Sequence, residues 1–329
     1  MRTYRRWGTA LAVGVALAGT LSAQSKTPTP HTTTKADLER WSKEYSNWGR
    51  WGKDDQIGTL NLITPAKRKQ AAGLVREGVS VSLSRDLETV KAADVSSPFE
   101  FTMRGIASDS FAINYHGYAH THLDGLAHRF NAEGQGYNYY TPDPEQVKKD
   151  NGHAKNSIIN VKNGIFTRGI LIDIPRLKGV PYLEPGTAIY AEDLEAWEKM
   201  AGVKISSGDA IFIYVGRWVR REKVGPWNIN SANGESAGLH ASVIPWLRQR
   251  DVAIVGSEAA MSLAPGGETP SAPHDFMLTY LGGFVLDNCD LTAVASAAAS
   301  RKRWEFLLTV APWAIRGGTG SPVNPIATF

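Results

Sequence analysis

Only one cysteine, Cys289, stands among the 329 residues, so no intrachain disulfide can brace the fold and the apolar core must carry it. No run of Lys and Arg interleaved with aromatic residues stands out, which counts against a nucleic-acid surface, and Arg217 to Lys223 reads as a solvated loop or helix end. Sequence-spaced repeats are missing, which excludes a solenoid. The apolar stretch Gly8 to Thr20 is shorter than the roughly 20 residues that span a bilayer. It follows Arg2, Arg5 and Arg6 and ends at Leu21-Ser-Ala23, a small-residue cleavage pattern, so residues 1–23 read as a signal peptide. Arg5-Arg6 leaves general and twin-arginine export both open. Without that segment the formal net charge falls from +4 to about +1. The expected location is therefore outside the cytoplasm, in a periplasm, with no membrane attachment after cleavage and no nucleic acid as partner.

Hydrophobic residues make up 42% of the chain, enough for one large domain. Residues 24–35, rich in Ser, Thr, Pro and Lys, read as a disordered spacer, and residues 36–329 as a single domain. Leu38, Trp41, Tyr45, Trp48 and Trp51 recur at helical steps. Thr64 caps a helix with Pro65 in its first turn, expected to run to Glu77. Strands are predicted at Val79–Leu83, Gly169–Ile174, Gly208–Val215, Val252–Gly256, Phe284–Leu286 and Glu305–Val310, and helices at Tyr190–Ala201, Ala241–Arg250, Pro273–Leu281 and Leu291–Ser300. The polar stretch between the histidines and residue 165 reads as a long loop over the site. Mixed strands and helices, with polar residues gathering at strand ends, indicate an α/β or α+β enzyme domain.

Four of the eight histidines and one aspartate crowd into Tyr115-His-Gly-Tyr-Ala-His-Thr-His-Leu-Asp-Gly-Leu-Ala-His128. In an extended segment alternate side chains share a face, so His116, His120, His122 and Asp124 would project together, with His128 just beyond. Imidazole nitrogens with a carboxylate suit zinc, and with more oxygen ligands also manganese or iron. A solvated polar strand is the plain alternative, and the flanking Phe111, Ile113, Leu123 and Leu126 count against it. The Gly-rich tail from Gly317 has no helix and no Lys behind it, so it reads as a structural turn and not as a phosphate cradle.

Thr121-His-Leu-Asp-Gly-Leu-Ala-His128 matches the second half of the motif His-x-Gly-Thr-His-x-Asp-x-(Pro or Leu)-x-His. Trp51-Gly-x-x-Asp-x-x-Gly-Thr-Leu-Asn61, Gly238-Leu-His240, Val255-Gly-Ser-Glu258 and Gly318-Thr-Gly-Ser-Pro-Val-Asn-Pro325 add further matches. On these residues the chain resembles the cyclase family of metal-dependent hydrolases, which includes kynurenine formamidases and isatin hydrolases. The resemblance implies a swivelling β/β/α domain, a divalent zinc or manganese ion, a homo-oligomer and a small-molecule substrate. It makes His122 and Asp124 metal ligands, with His128 as general acid/base or second ligand. His274 and Asp287 occupy the places of its distant His and acidic ligand. Tyr118 stands where the family has its first histidine, and His120 where it has Gly, so His116 or His120 must supply the missing ligand.

Glu258 would bind metal or orient a water, while Trp51, Tyr118 and His240 would touch substrate. Trp48, Trp218 and Trp227 are further candidates for an aromatic wall. The expected reaction is hydrolysis of an amide, cyclic amide or lactone carbonyl of an aromatic molecule by metal-activated water, with His128 exchanging a proton near neutral pH. Two rivals remain at this level. His120-Thr-His122 is also the His-x-His pair of a cupin-like metalloenzyme, and the cluster alone would serve a non-catalytic metal or ligand binder.

Overall fold

Uninterrupted apolar runs such as Ile170–Ile172 and Ile211–Ile213 need cover on both faces, and they form the middle of a nine-stranded mixed sheet. The computed structural model describes residues 31–229, 236–260 and 272–329, and Thr32–Phe329 make one compact unit. Across the sheet the strands lie in the order Ser80–Ser82, Ile326–Thr328, Glu305–Val310, Ile165–Asp173, Ala210–Tyr214, Ile254–Ser257, Phe284–Asp287, His122–Asp124 and Gly320–Pro322. The four from Ile165–Asp173 to Phe284–Asp287 are parallel and the outer pairings antiparallel. Ala191–Ala201 turns Leu194 and Trp197 into the core, and Ile244–Arg250 and Thr292–Arg301 bury Trp246, Leu247, Val294 and Ala298. Among the described residues no helix is long and apolar enough to cross a membrane.

Several elements differ from the sequence reading. The first helix is Lys35–Glu44, closed by a capping box between Thr34 and Asp37, so Trp48 and Trp51 lie beyond its end. The helix after Thr64 stops at Ala72, just before Gly73. The stretch expected as one long loop contains the helix Pro144–Asp150 and short helical turns at Tyr137–Tyr139 and Ile158–Val161. Arg217 to Val224 is a helix whose first residue is buried, not a solvated loop. The Gly-rich tail forms two strands, one of which pairs with His122–Asp124. Residues 1–23, read as a signal peptide, and most of the spacer lie outside the described residues.

Pairing places the candidate ligands. Asp287 sits opposite His122, and Val285 opposite Asp124, so the Asp287, His122 and Asp124 side chains share one face at the end of the parallel strands. Gly320 lies opposite Asp124 on the other side. A Cβ there would fall 2.6 Å from the Leu123 carbonyl oxygen and 3.2 Å from His116 Cε1, so glycine is what lets His116 reach the aspartate.

Candidate metal centre

Asp124 is fully buried and has four imidazoles around it. His116 Nδ1 and His122 Nε2 lie 3.0 and 3.3 Å from Oδ1, while His274 Nε2 and His128 Nε2 lie 3.1 and 3.4 Å from Oδ2. His274 Nε2 is also 3.3 Å from Asp287 Oδ2. The donor atoms of His122, Asp124 and Asp287 fall within 4.8 Å of one another, as do those of His116, Asp124 and His128. The rings of His116 and His128 stack with centroids 4.0 Å apart and planes 4° from parallel. His116 and His128 are the partly exposed members, so solvent reaches the cluster past their rings.

The far side of each ring is fixed by a second partner. His122 Nδ1 lies 2.8 Å from the His120 carbonyl oxygen, which only a protonated Nδ1 can satisfy, so Nε2 faces the aspartate. His274 Nδ1 meets Asp275 Oδ1 at 3.2 Å, and His116 Nε2 meets Thr319 Oγ1 at 2.9 Å. His116 Nδ1, Asp124 Oδ1 and Asp287 Oδ1 are buried without a hydrogen-bond partner, since the close approach of the first two lacks the alignment of a bond. Buried polar atoms left unsatisfied in this way are costly, and a cation held by the nitrogen and carboxylate donors of either group would relieve part of that cost. The residues therefore fit a divalent ion.

Electrostatics divides the histidines. Burial opposes a charge on His122, yet the Asp124 carboxylate, Asp287 and the His120 carbonyl outweigh it and raise its pKa. His274 is raised well above the ordinary value, because Asp124, Asp275 and Asp287 together overcome burial. Burial alone would raise the Asp124 carboxyl, but the His122 charge and the surrounding imidazoles hold it well below the carboxylate range. His128 goes the other way: burial, with the neighbouring His116, Arg129 and His274 charges, drives it down to about 3 despite Asp124. It is thus neutral throughout the physiological range instead of exchanging a proton near neutrality. Tyr118 is half-buried, and burial followed by the Asp287 charge raises its phenol.

Seven sequence-derived candidates do not join the cluster. His120 was expected on the same face as His122, but the chain bends at residues 116–120 and is a strand only over His122–Asp124. Its Nε2 instead meets the Ser97 carbonyl oxygen at 3.0 Å, which also removes the cupin-like pair. Glu258 Oε2 accepts from the backbone N–H groups of Val215, Gly216 and Arg217 at 2.9, 2.7 and 3.1 Å, so it caps the helix that starts at Arg217. Burial, with Asp290 adding, lifts its carboxyl to about 7. His240 caps the turn Ala241–Val243 through Ser242 N–H and packs on Tyr190. Trp51 lies under Arg50, Trp218 under Arg217 and Arg85, Trp227 under Arg220, and Trp48 against Tyr139 and Tyr280, so none of the four was found lining the cluster.

Sequence reasoning missed Asp275, Thr319, Asn288 and Arg217, all of which hold ligands or their backbone. Asp275 follows His274 directly and Asn288 follows Asp287, so adjacency was a usable signal for both. Arg217 carried none, being one cation in a basic run.

The Cyclase family model matches residues 67–262. Among solved structures, a crystal structure described as a novel cyclase is 28% identical, with TM-score 0.73, covering 88% of this chain and 99% of its own. Isatin hydrolase A from Labrenzia aggregata bound to benzyl benzoate is 19% identical, with TM-score 0.53, covering 79% and 96%. An isatin hydrolase bound to the product analogue thioisatinate is 17% identical, with TM-score 0.51, covering 79% and 94%. The latter two share the mixed α/β fold with this chain. No curated protein matches.

Proposed function

Because the chain belongs to the cyclase family, whose model spans residues 67–262, we propose that it is a metal-dependent hydrolase acting on an amide, cyclic amide or lactone carbonyl of a small aromatic molecule. The observation that carries the reading is the buried Asp124 carboxylate ringed by four imidazoles, with donor atoms of His116, Asp124 and Asp287 left unsatisfied. His122, Asp124, Asp287 and His274 would hold an ion, and His116 takes the place that Tyr118 leaves empty in the family motif. When bound, a divalent ion, zinc or manganese, supplies Lewis-acid polarisation and a water of lowered pKa.

His128 is neutral and sits on the open side, so its ring can accept a hydrogen bond from the attacking water and aim it at the carbonyl carbon. As water adds to the carbonyl carbon, the carbon–nitrogen bond of an amide or the carbon–oxygen bond of a lactone breaks, and a proton of that water ends on the leaving atom. Tyr118 keeps its phenolic proton at neutral pH and is a hydrogen-bond donor beside Asp287, suited to a substrate carbonyl or ring substituent. The aromatic part of the proposal is supported by Tyr115 against His116, by Tyr118 near Asp287 and His274, and by the likeness to isatin hydrolases.

The test is turnover of formamides, lactams, lactones and isatin-like compounds by the purified protein with zinc or manganese. His128→Ala should lower turnover at least about 100-fold while ion bound through His122, Asp124 and Asp287 remains. Unchanged hydrolysis in that variant would refute the role of His128. Inactivity of the metal-loaded protein on every compound would favour a metal or ligand binder.

A further inference from the structure

The segment from His116 to Thr121 presents His116 and Tyr118 to the cluster but belongs to no strand or helix. Its backbone carbonyls therefore lack the ladder partners that a sheet would supply, and buried carbonyls need partners. Besides His122 Nδ1 at the His120 carbonyl and the Val323 N–H at that of Thr121, two side chains provide them. Asn288 Nδ2 donates to the carbonyl oxygens of Gly117 at 2.7 Å and His120 at 3.2 Å, and Arg217 Nη2 donates to that of Tyr118. Thr121 Oγ1 closes the loop by donating to the Asn288 carbonyl oxygen at 2.7 Å.

Arg217 also sets the direction of the Asn288 amide. Its Nη1 donates to Asn288 Oδ1 at 3.0 Å and to the Glu258 carbonyl oxygen at 2.6 Å, which turns Nδ2 toward the segment. Asn288 directly follows Asp287, and its φ of 55° places the amide beside the strand end. Both devices are poor bargains for stability alone. Arg217 is 2% exposed, with Asp94 Oδ2 at 3.5 Å, and its Nε is buried without a partner. Burial is costly enough to push its guanidinium down to about 10.

We propose that Arg217 and Asn288 are positioning residues, which lock the His116–Thr121 segment against the end of the Phe284–Asp287 strand and so fix the distances among His116, His122, Asp124 and Asp287. The proposal rests on the metal-binding reading above. It assigns ion affinity to two side chains that touch neither ion nor substrate, acting only through backbone carbonyls.

The experiment is a zinc titration of the metal-stripped protein against a chromophoric chelator, with thermal unfolding of the same samples. Asn288→Gly removes the amide while tolerating a positive φ, and Arg217→Lys keeps the charge but loses the planar fork. Both variants should fold and bind zinc with a Kd raised about 10–100-fold, the range for losing a partner that orients metal ligands. Amides of residues 115–121 should exchange faster in metal-free Asn288→Gly than in metal-free wild type. A lowered Tm with wild-type zinc affinity would show a merely structural role and overturn the proposal, as would wild-type affinity with wild-type Tm. Should Arg217→Lys not fold, Asn288→Gly decides. Wild-type protein that binds no zinc would overturn the metal reading itself, whereas wild-type binding with unchanged variants defeats only the positioning role.

Discussion

Loading the centre with zinc should release protons, and the structure names the rings that give them up. In the metal-free protein, against the pull of burial, the aspartates around them raise His122 and raise His274 well above the ordinary value, so both rings favour the doubly protonated form more than a free imidazole does. Their outer nitrogens keep hydrogen bonds to the His120 carbonyl and to Asp275, so an ion must displace the proton on each Nε2. His128 has none to give, being driven down to about 3. Binding should therefore release protons from both rings, and each proton released makes affinity about tenfold weaker per unit fall in pH, about 1.4 kcal/mol. Where both rings are doubly protonated the Kd should rise roughly 100-fold per unit fall in pH. Calorimetric titration in buffers of different ionisation enthalpy counts the protons directly. Release near zero, with a Kd that does not rise as pH falls, would refute the electrostatic reading of the cluster. The same shifts give the metal-free protein a stability profile. His274, raised, stabilises fully below the ordinary histidine value of 6.5, and this is lost as pH climbs through its raised pKa. Asp124, lowered, stabilises fully above 3.8, and this is lost as pH falls through its depressed pKa.

Three further outcomes are expected. Glu258 is raised from 4.5 to about 7, so the folded state holds a proton that the unfolded chain gives up, and stability present below 4.5 drains away as pH rises through 7. That loss is on the order of 3 kcal/mol, and thermal melts of Glu258→Gln between pH 5 and 8 should vary less than those of wild type. Gly320→Ala would press a methyl against the Leu123 carbonyl and His116, so it should weaken zinc affinity at least about tenfold, checked by the same chelator titration; unchanged affinity would mean that His116 is not a ligand. The proposed export predicts a mature chain beginning near Gln24, read by N-terminal sequencing of protein from the periplasmic fraction, and retention of Met1 there would contradict it.

What could be read from residues alone depended on how local its cause was. Buried strands such as Ile211–Ile213 announce themselves as apolar runs, and Thr64-Pro65 spells a helix start that the structure contains. His122 and Asp124 share a face because they are two apart in a strand, a relation that needs no tertiary information. His120 lies two residues earlier, where the strand has not begun, and the alternation that would align it does not hold. The pairing of Gly320–Pro322 with His122–Asp124 joins segments nearly two hundred residues apart, so the tail looked like a turn. As one cation in a basic run, Arg217 reads as solvated from the sequence. Only the fold shows that it lies beneath the ligand-bearing segment. Trp51 misled in the opposite sense, since an aromatic beside a family-like opening can lie under Arg50 as readily as against a substrate.

The central claim is that Asp124 organises a centre for a divalent ion, and metal analysis of purified wild type beside Asp124→Asn tests it most directly. After dialysis against zinc and desalting, wild type should retain at least one ion per chain. The variant, with equal fold by circular dichroism, should retain less than about a tenth of that, since the carboxylate common to both donor groups is gone. Equal zinc in the two proteins, or none in wild type, would contradict the account.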